Sequence, residues 1–364
     1  MRVYNFSAGP STMPVEVLET IQKELLDTDG AGYGHMEGSH RAKPYEAVNN
    51  DAQALLRELL NIPENYYILF LQGGATQQFE AIPLNLLGKN NKADYFDCGH
   101  WATRAATLAK PYADVNIVAS SKEAKYTYVP SVENLPIRPD AAYLHVTSNN
   151  TIFGTRMTKY PKTNLNMIAD MSSDILSRPI NVADFAVIYA GAQKNMSCAG
   201  LTTVIVRKDL VDNDYTMPIC PSIMKWKTHA DANSLYNTPP TFAVYVLLRM
   251  LQWLKGKGGV EGIQIQNEAQ AKRFYDYVDN SKMFSNPVNK ADRSVMNLIF
   301  HAQTPELEAQ FVAEAKEAKI VSIKGHKSVG GLRASFYNAV TDEMVDYLLN
   351  FMREFERKHL NECK

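Results

Sequence analysis

The chain has 364 residues, 45% of them hydrophobic and 21% charged, with a formal net charge of −1. That length supports one large domain and a smaller one, each with its own core, while the near-neutral balance removes the electrostatic case for nucleic acid or an anionic membrane as partner. The cysteines, Cys98, Cys198, Cys220 and Cys363, are widely spaced and form no C-x-x-C pair, so neither a zinc site nor a disulfide framework is expected, no metal is assigned, and a reducing compartment fits best. No basic region followed by an apolar core opens the sequence and no apolar run approaches the ~18 residues of a membrane span, so a cytoplasmic location without membrane is the expectation.

In chain order, "PVEVLETIQKELL" sets Val17, Leu18, Ile21 and Leu25 at helical spacing after Pro14, and "PYEAVNNDAQALLRELLNIP" repeats the pattern up to Pro63. The apolar runs "YYILFLQ", "ADYFDCG", "AAYLHVTSNN", "LNMIADMSS", "FAVIYAGA" and "LTTVIVR" read as strands, most with helix-compatible stretches between them. They are too apolar to have a wet face, so the pattern predicts an α/β fold with a mostly parallel sheet covered by helices on both sides. A long helix through "VLLRMLQWLKGKGGVEGIQIQNEAQAKRFYDYV" breaks at Lys255 to Gly259, which is taken as the domain hinge. Beyond it, "RSVMNLIF", a helix opened by Thr304-Pro305, "KIVSIKG", "GGLRASFYN" and a closing helix from Thr341 describe a smaller α+β unit of roughly a hundred residues. The division is 1–255 for the large domain and 256–364 for the small one, with the option that segment 1–15 packs on the small domain.

"LFLQGGATQQFEAIPLNLL" runs a strand through Gly73-Gly74 into a helix that begins with Ala75, Thr76 and Gln77. Such a junction is either a plain tight turn or a phosphate cup, because glycines admit close backbone approach and free helix amides favour an anion. G-x-G-x-x-G and Walker patterns are absent, which disfavours dinucleotides and nucleoside triphosphates. In "YAGAQKNMSCAG", Lys194 stands among uncharged neighbours. It is either a loop lysine in solvent or a nucleophile, and the second needs a pKa lowered by ~3 units from its free value. Asp170 at the end of "LNMIAD" can pair with a pyridinium nitrogen, and Trp101 in "DCGHWA" can cover a flat ring or serve as ordinary packing. Lysine, aspartate, aromatic lid and phosphate cup together describe a site for pyridoxal phosphate, whose ring acts as an electron sink.

Over essentially its whole length the sequence resembles the phosphoserine aminotransferases, pyridoxal-phosphate enzymes of fold type I, in "NFSAGPSTMP", "SHR", "LFLQGGATQQFEAIPLNLLG", "DCGHWA", "AGAQKN", "AGLTTVIVR", "LYNTPPTFAVY" and "KGHKSVGGLRASFYNAV". The resemblance implies Lys194 as the lysine that bonds the cofactor, Asp170 at the pyridine nitrogen, Trp101 stacked on the ring, and Thr151 and Gln193 in contact with the cofactor. It implies that Ala75 and Thr76 bind the phosphate, and that in a homodimer Asn237 and Thr238 complete the partner's phosphate cup. The implied reaction moves an amino group between L-glutamate and 3-phosphohydroxypyruvate, in serine biosynthesis, with 4-phosphohydroxy-L-threonine in vitamin B6 synthesis as a further substrate class. A planar guanidinium suits Arg333 to an α-carboxylate, and His40-Arg41 with His326-Lys327 supply charge for the distal phosphate or carboxylate. The chain departs from many relatives in having Lys327 where "KGHR" has arginine, and in lacking an arginine at Ala75 or Thr76 that some bacterial relatives carry. The rival from another class is a small-ligand-binding α/β protein that keeps the cup without the chemistry.

Overall fold

The computed structural model describes residues 2–28 and 30–360; Cys363 lies outside them. The elements are β1 (Tyr4–Asn5), α1 (Val15–Glu24), α2 (Lys43–Leu60), β2 (Tyr66–Gln72), α3 (Ala75–Leu86), β3 (Lys92–Asp97), α4 (His100–Ala109), β4 (Asp114–Ser120), β5 (Tyr143–Thr147) and β6 (Asn166–Asp170). They continue with β7 (Val187–Gly191), β8 (Leu201–Arg207), α5 (Lys208–Asp212), α6 (Trp226–Asp231), α7 (Thr241–Gly256), α8 (Gly259–Asn280), β9 (Asn297–Phe300), α9 (Pro305–Glu317), β10 (Ile320–Val321), β11 (Leu332–Ser335) and α10 (Asp342–His359).

Seven strands form one sheet in the order β2-β8-β7-β6-β5-β3-β4, in which β8 alone runs against its neighbours β2 and β7. The alternation of side chains across the strands feeds two separate cores. Leu144, Val146, Ala169, Ile188 and Ala190 face α1, α2 and α7, whereas Tyr143, Ile168, Val187, Tyr189 and Val204 face α3, α4 and α6. Burial on both faces explains why the strand sequences are nearly all apolar. This is the expected α/β architecture.

The expected strands are present, and β4 is added to them. It pairs only with β3 at the sheet edge and leaves Ile117 43% exposed. An edge strand with one wet side tolerates Asp114, Asn116 and Ser120, which interrupt the apolar run that marks the central strands. "KIVSIKG" contributes only two strand residues, because Ser322 follows at φ 63 and turns the chain out of the extended region. The helix break falls where the glycines predict it: α7 ends at Gly256 and α8 starts at Gly259.

A third core gathers Phe274, Phe300, Phe311, Leu348 and Phe355 from α8, β9, α9 and α10, with Phe336, the residue after β11. Phe6, fully buried, belongs to it, and β1 pairs in parallel with β10 through Tyr4 and Ile320. Helix α8 touches both regions, with Val260 and Ile263 in the first core and Phe274 and Val278 in the third.

Candidate active site

The parallel strands β3, β5, β6 and β7 end on one side of the sheet, and β2 ends there too, so the segments leaving them share one rim. In open α/β sheets this carboxyl end is where ligands are held. A cavity of about 320 Å3 lies there, lined by Ala8, Gly9, Gly74, Ala75, Thr76, Phe79, Trp101, Thr147, Asn149, Thr151, Ile152, Asp170, Ser172, Ser173, Gln193, Lys194, His326 and Arg333. Its size is in the usual range for a small-molecule site. A larger, open groove of about 1190 Å3 at the opposite end holds Lys159, Lys162 and Arg207, but Arg207 is occupied by Asp209 and Asn166.

Lys194 projects from the turn that follows β7. Ala192 accepts amide hydrogen bonds from Met196 and Ser197, and the N-terminal segment clasps the turn from outside through the Ser11 amide on the Gln193 carbonyl. Gly9, at φ 134, lies against the lysine stem: a Cβ there would come within 3.3 Å of Lys194 Cγ, at a backbone angle that side chains avoid. The Lys194 Nζ donates to Thr151 Oγ1 at 2.9 Å. Burial pushes its pKa down to about 8, against the opposing pull of Asp170.

Asp170 closes β6. Its Oδ1 accepts from the Ser172 amide at 2.9 Å and the Ser172 hydroxyl at 2.6 Å. Burial pushes the carboxyl upward, while those two bonds and Lys194 pull it back. For both members of the pair, desolvation outweighs their mutual attraction.

Beneath Asp170 the same sheet face carries a buried polar floor, set by the register that aligns Asp170 with Tyr189. The Tyr189 hydroxyl lies 2.8 Å from His145 Nε2, the His145 ring stacks on Tyr95 at 5.0 Å, and the Tyr95 and Tyr143 hydroxyls are 2.7 Å apart. Burial drives His145 down to about 3 and the phenols up, so every member of the floor is uncharged at neutral pH. The groups beneath Asp170 are therefore neutral dipoles.

At the other wall, Gly73 takes φ 96 and delivers the chain into α3, whose first turn contains no acidic residue. The first amides of a helix have no partner within it, so Ala75 and Thr76 present free donors to the cavity. Trp101, from α4, lines the cavity with a buried Nε1 that has no hydrogen-bond partner. Arg333, on β11, reaches in from the C-terminal region and donates from Nη1 to the Thr151 carbonyl at 3.1 Å; its Nε is buried and unpartnered.

Of the residues singled out in the sequence, Ala75, Thr76, Trp101, Thr151, Asp170, Gln193, Lys194, His326 and Arg333 converge on this cavity. Lys327 is exposed on the loop beside His326. His40, Arg41, Asn237 and Thr238 do not line it; the Asn237 amide donates to Gln72 Oε1 at 3.0 Å. The sequence reading passes over Ser172, Thr147, Asn149 and the segment Ala8-Gly9, and of these only the polar run "TSNN" after β5 carried a local signal. No group of three or more His, Cys, Asp or Glu among the described residues is arranged to hold a metal, and no described helix is long and apolar enough to cross a membrane.

The family model described as aminotransferase class-V matches residues 3–348. A phosphoserine aminotransferase of Nitrosomonas europaea is 47% identical, covering 98% of this chain and 99% of that protein, and one of Lysinibacillus sphaericus is 48% identical with the same coverage. Among solved structures, phosphoserine aminotransferase from Bacillus circulans subsp. alkalophilus superposes with a TM-score of 0.96 at 44% identity, covering 98% of this chain and 99% of that one. A pyridoxal-phosphate-bound phosphoserine aminotransferase from Trichomonas vaginalis gives 0.93 at 38% identity, covering 97% and 100%. With sequence and backbone matched almost end to end, the chain belongs to the class-V aminotransferases and, within them, to the phosphoserine aminotransferases.

Proposed function

We propose that the protein transfers an amino group between L-glutamate and 3-phosphohydroxypyruvate, giving 2-oxoglutarate and O-phospho-L-serine, with pyridoxal phosphate as cofactor. The observation that carries this reading is the convergence of Lys194, Asp170 and Arg333 on one buried cavity. The residues fit the cofactor: the α3 amides at Ala75 and Thr76 suit its phosphate, the Trp101 indole its ring, and the anchored Asp170 carboxylate its pyridine nitrogen.

Pyridoxal phosphate, when bound, supplies an aldehyde that joins amino groups and a protonated ring that takes up the electron pair left at a substrate α-carbon. This chain supplies the rest. Lys194 would hold the cofactor through Nζ, and its free amine would be the base that accepts the α-proton on that same atom; a pKa of about 8 in the cofactor-free chain makes neutral amine available for bonding. Asp170 keeps a proton on the ring nitrogen, and its grip depends on remaining an anion, which the Ser172 bonds favour. Arg333 orients the α-carboxylate with a planar fork. His326 and Lys327 supply positive charge for the distal phosphate, or for the side-chain carboxylate of glutamate.

The reading extends to a homodimer. His40, Arg41, Asn237 and Thr238 do not line the cavity of their own chain, and His40 Nε2 is buried without a partner. A second copy brings these residues to the site. The large body is residues 1–255 and the smaller one 256–364, with β1 joined to the smaller by pairing with β10. The free thiols of Cys98 and Cys198 suit a reducing cytoplasm.

The test is a coupled assay with glutamate and 3-phosphohydroxypyruvate on purified protein, alongside Lys194→Ala. Turnover by the parent, and in the variant loss of both turnover and the visible band that borohydride fixes to the chain, is the expected pair of results. A Lys194→Ala protein that still binds the cofactor covalently refutes the assignment.

A further inference from the structure

The loop bearing His326 is closed by the Gly325 amide on the Gly331 carbonyl at 2.9 Å and tied down by the Gly331 amide on Glu308 Oε2 at 3.1 Å. It places His326 in the lining of the cavity. Facing it is a residue that the sequence reading did not single out, His100, the first residue of α4. The two ring centroids are 6.1 Å apart, and His100, which does not itself line the cavity, stands edge-on to the lining residue Trp101 at 5.1 Å.

The charge around this pair is one-sided. Burial pushes the His326 pKa down, and Arg333, His100 and Lys327 act on it in the same direction. The nearby carboxylate of Glu308, which accepts from the Gly331 amide and lies 3.0 Å from His301 Nδ1, is not among the groups that shift His326. Among the described residues no carboxylate forms an ion pair with His100, His326, Lys327 or Arg333. Two cations without a counter-charge, Lys327 and Arg333, beside two imidazoles that can donate N–H bonds, make a setting that suits an anion.

We propose that His100 is a specificity-determining residue: with His326 and Lys327 it forms the subsite for the distal phosphate, favouring a dianion over the single negative charge of a side-chain carboxylate. This rests on the aminotransferase reading above and deepens it. Arg333 and His326 line the same cavity, and His100 faces His326 across 6.1 Å between ring centroids, a gap that one phosphate can bridge by accepting from both rings. Lys327 has no guanidinium fork with which to hold a phosphate by two parallel bonds, and a second imidazole supplies the missing donor.

The experiment uses the cofactor-loaded protein and follows the visible band in single-turnover reactions with O-phospho-L-serine and with L-glutamate separately. For His100→Asn the ratio of kcat/KM for phosphoserine to that for glutamate falls about tenfold, the worth of one hydrogen bond to a charged group, and His100→Arg restores it. A ratio that stays at the parent value in His100→Asn overturns the proposal, whether both rates hold or both fall together, since a joint fall marks a residue that only positions Trp101. A ratio lost in both variants overturns the charge argument as well. If the parent itself reacts with glutamate and not with phosphoserine, the substrate reading fails, and the subsite fails with it.

Discussion

The amine of Lys194 offers the sharpest test of the site. Without cofactor its pKa is about 8, against 10.5 for an ordinary lysine. At a pH of about 7.5 roughly a quarter of the amine is then neutral, where an unperturbed lysine offers about one part in a thousand. The gain in nucleophile is about two hundredfold, and the shift corresponds to about 3 kcal/mol of differential stabilisation. Stopped-flow mixing of the stripped protein with pyridoxal phosphate reads this directly: the rate of band formation should climb about tenfold per pH unit and level off near the group's pKa. A rate still climbing beyond a pH of about 9.5 shows an ordinary solvated lysine and refutes the burial argument. Asp170→Asn gives a signed control. The Asp170 carboxylate stabilises the protonated amine and so raises its pKa; without it the plateau moves to lower pH, even as the holoenzyme loses its ring-nitrogen partner and its activity. A plateau that moves to higher pH contradicts the geometry.

Asn149 donates to Ser173 and to Asn297, each at 2.8 Å, and accepts from Ser294 at 2.6 Å; Asn149→Ala strands those buried groups and should cost about 3 kcal/mol in urea unfolding, whereas a loss well under 1 kcal/mol would show that water replaces them. His145 has a folded pKa of about 3 against 6.5 unfolded, so the unfolded chain binds more protons between those values and the fold loses stability as pH falls through them, by at most about 5 kcal/mol. His145→Gln should flatten that acid limb, and an equally steep limb would exclude His145 as its source. Lys327→Arg restores a bidentate donor and should lower KM for the phosphorylated substrate several-fold; an unchanged KM would place Lys327 outside the subsite.

What was legible in the sequence is what local pattern controls. Lys194 is conspicuous because a charge follows an apolar strand; Asp170 because it closes one; Gly73-Gly74 because a strand-to-helix turn needs a positive φ, and Gly73 adopts it. The polar floor was not legible. Tyr143, His145 and Tyr189 read as ordinary strand residues, and only the pairing of Tyr189 with Asp170 and of Thr147 with Asp170 stacks them under one carboxylate. His100 was hidden for a similar reason: it meets His326 from a distant stretch of chain, and no spacing in the sequence records that approach. The wall built by Ala8 and Gly9 depends on β1 pairing with β10, a contact between two-residue strands that leaves almost no periodic trace.

The placement of charge explains why such a site stays poised. Burial opposes ionisation of Asp170, Lys194 and Arg333 alike, and each is held at a cost that a purely structural core would avoid. Two of the three are cations, and His326 adds to them whenever it is protonated. Asp170 does not balance that set, and Asp174, which also acts on Lys194, is already paired with Arg178. On the proposed reading, negative charge would come with the ligands: a phosphate at the start of α3, an α-carboxylate at Arg333, and a second acid group near His326. Each ligand that binds the folded chain alone adds stability by mass action. The free energy that burial of these charges costs the fold thus becomes affinity for anions, and the same imbalance would let the proposed site discriminate among amino acids by the charge they carry at the far end.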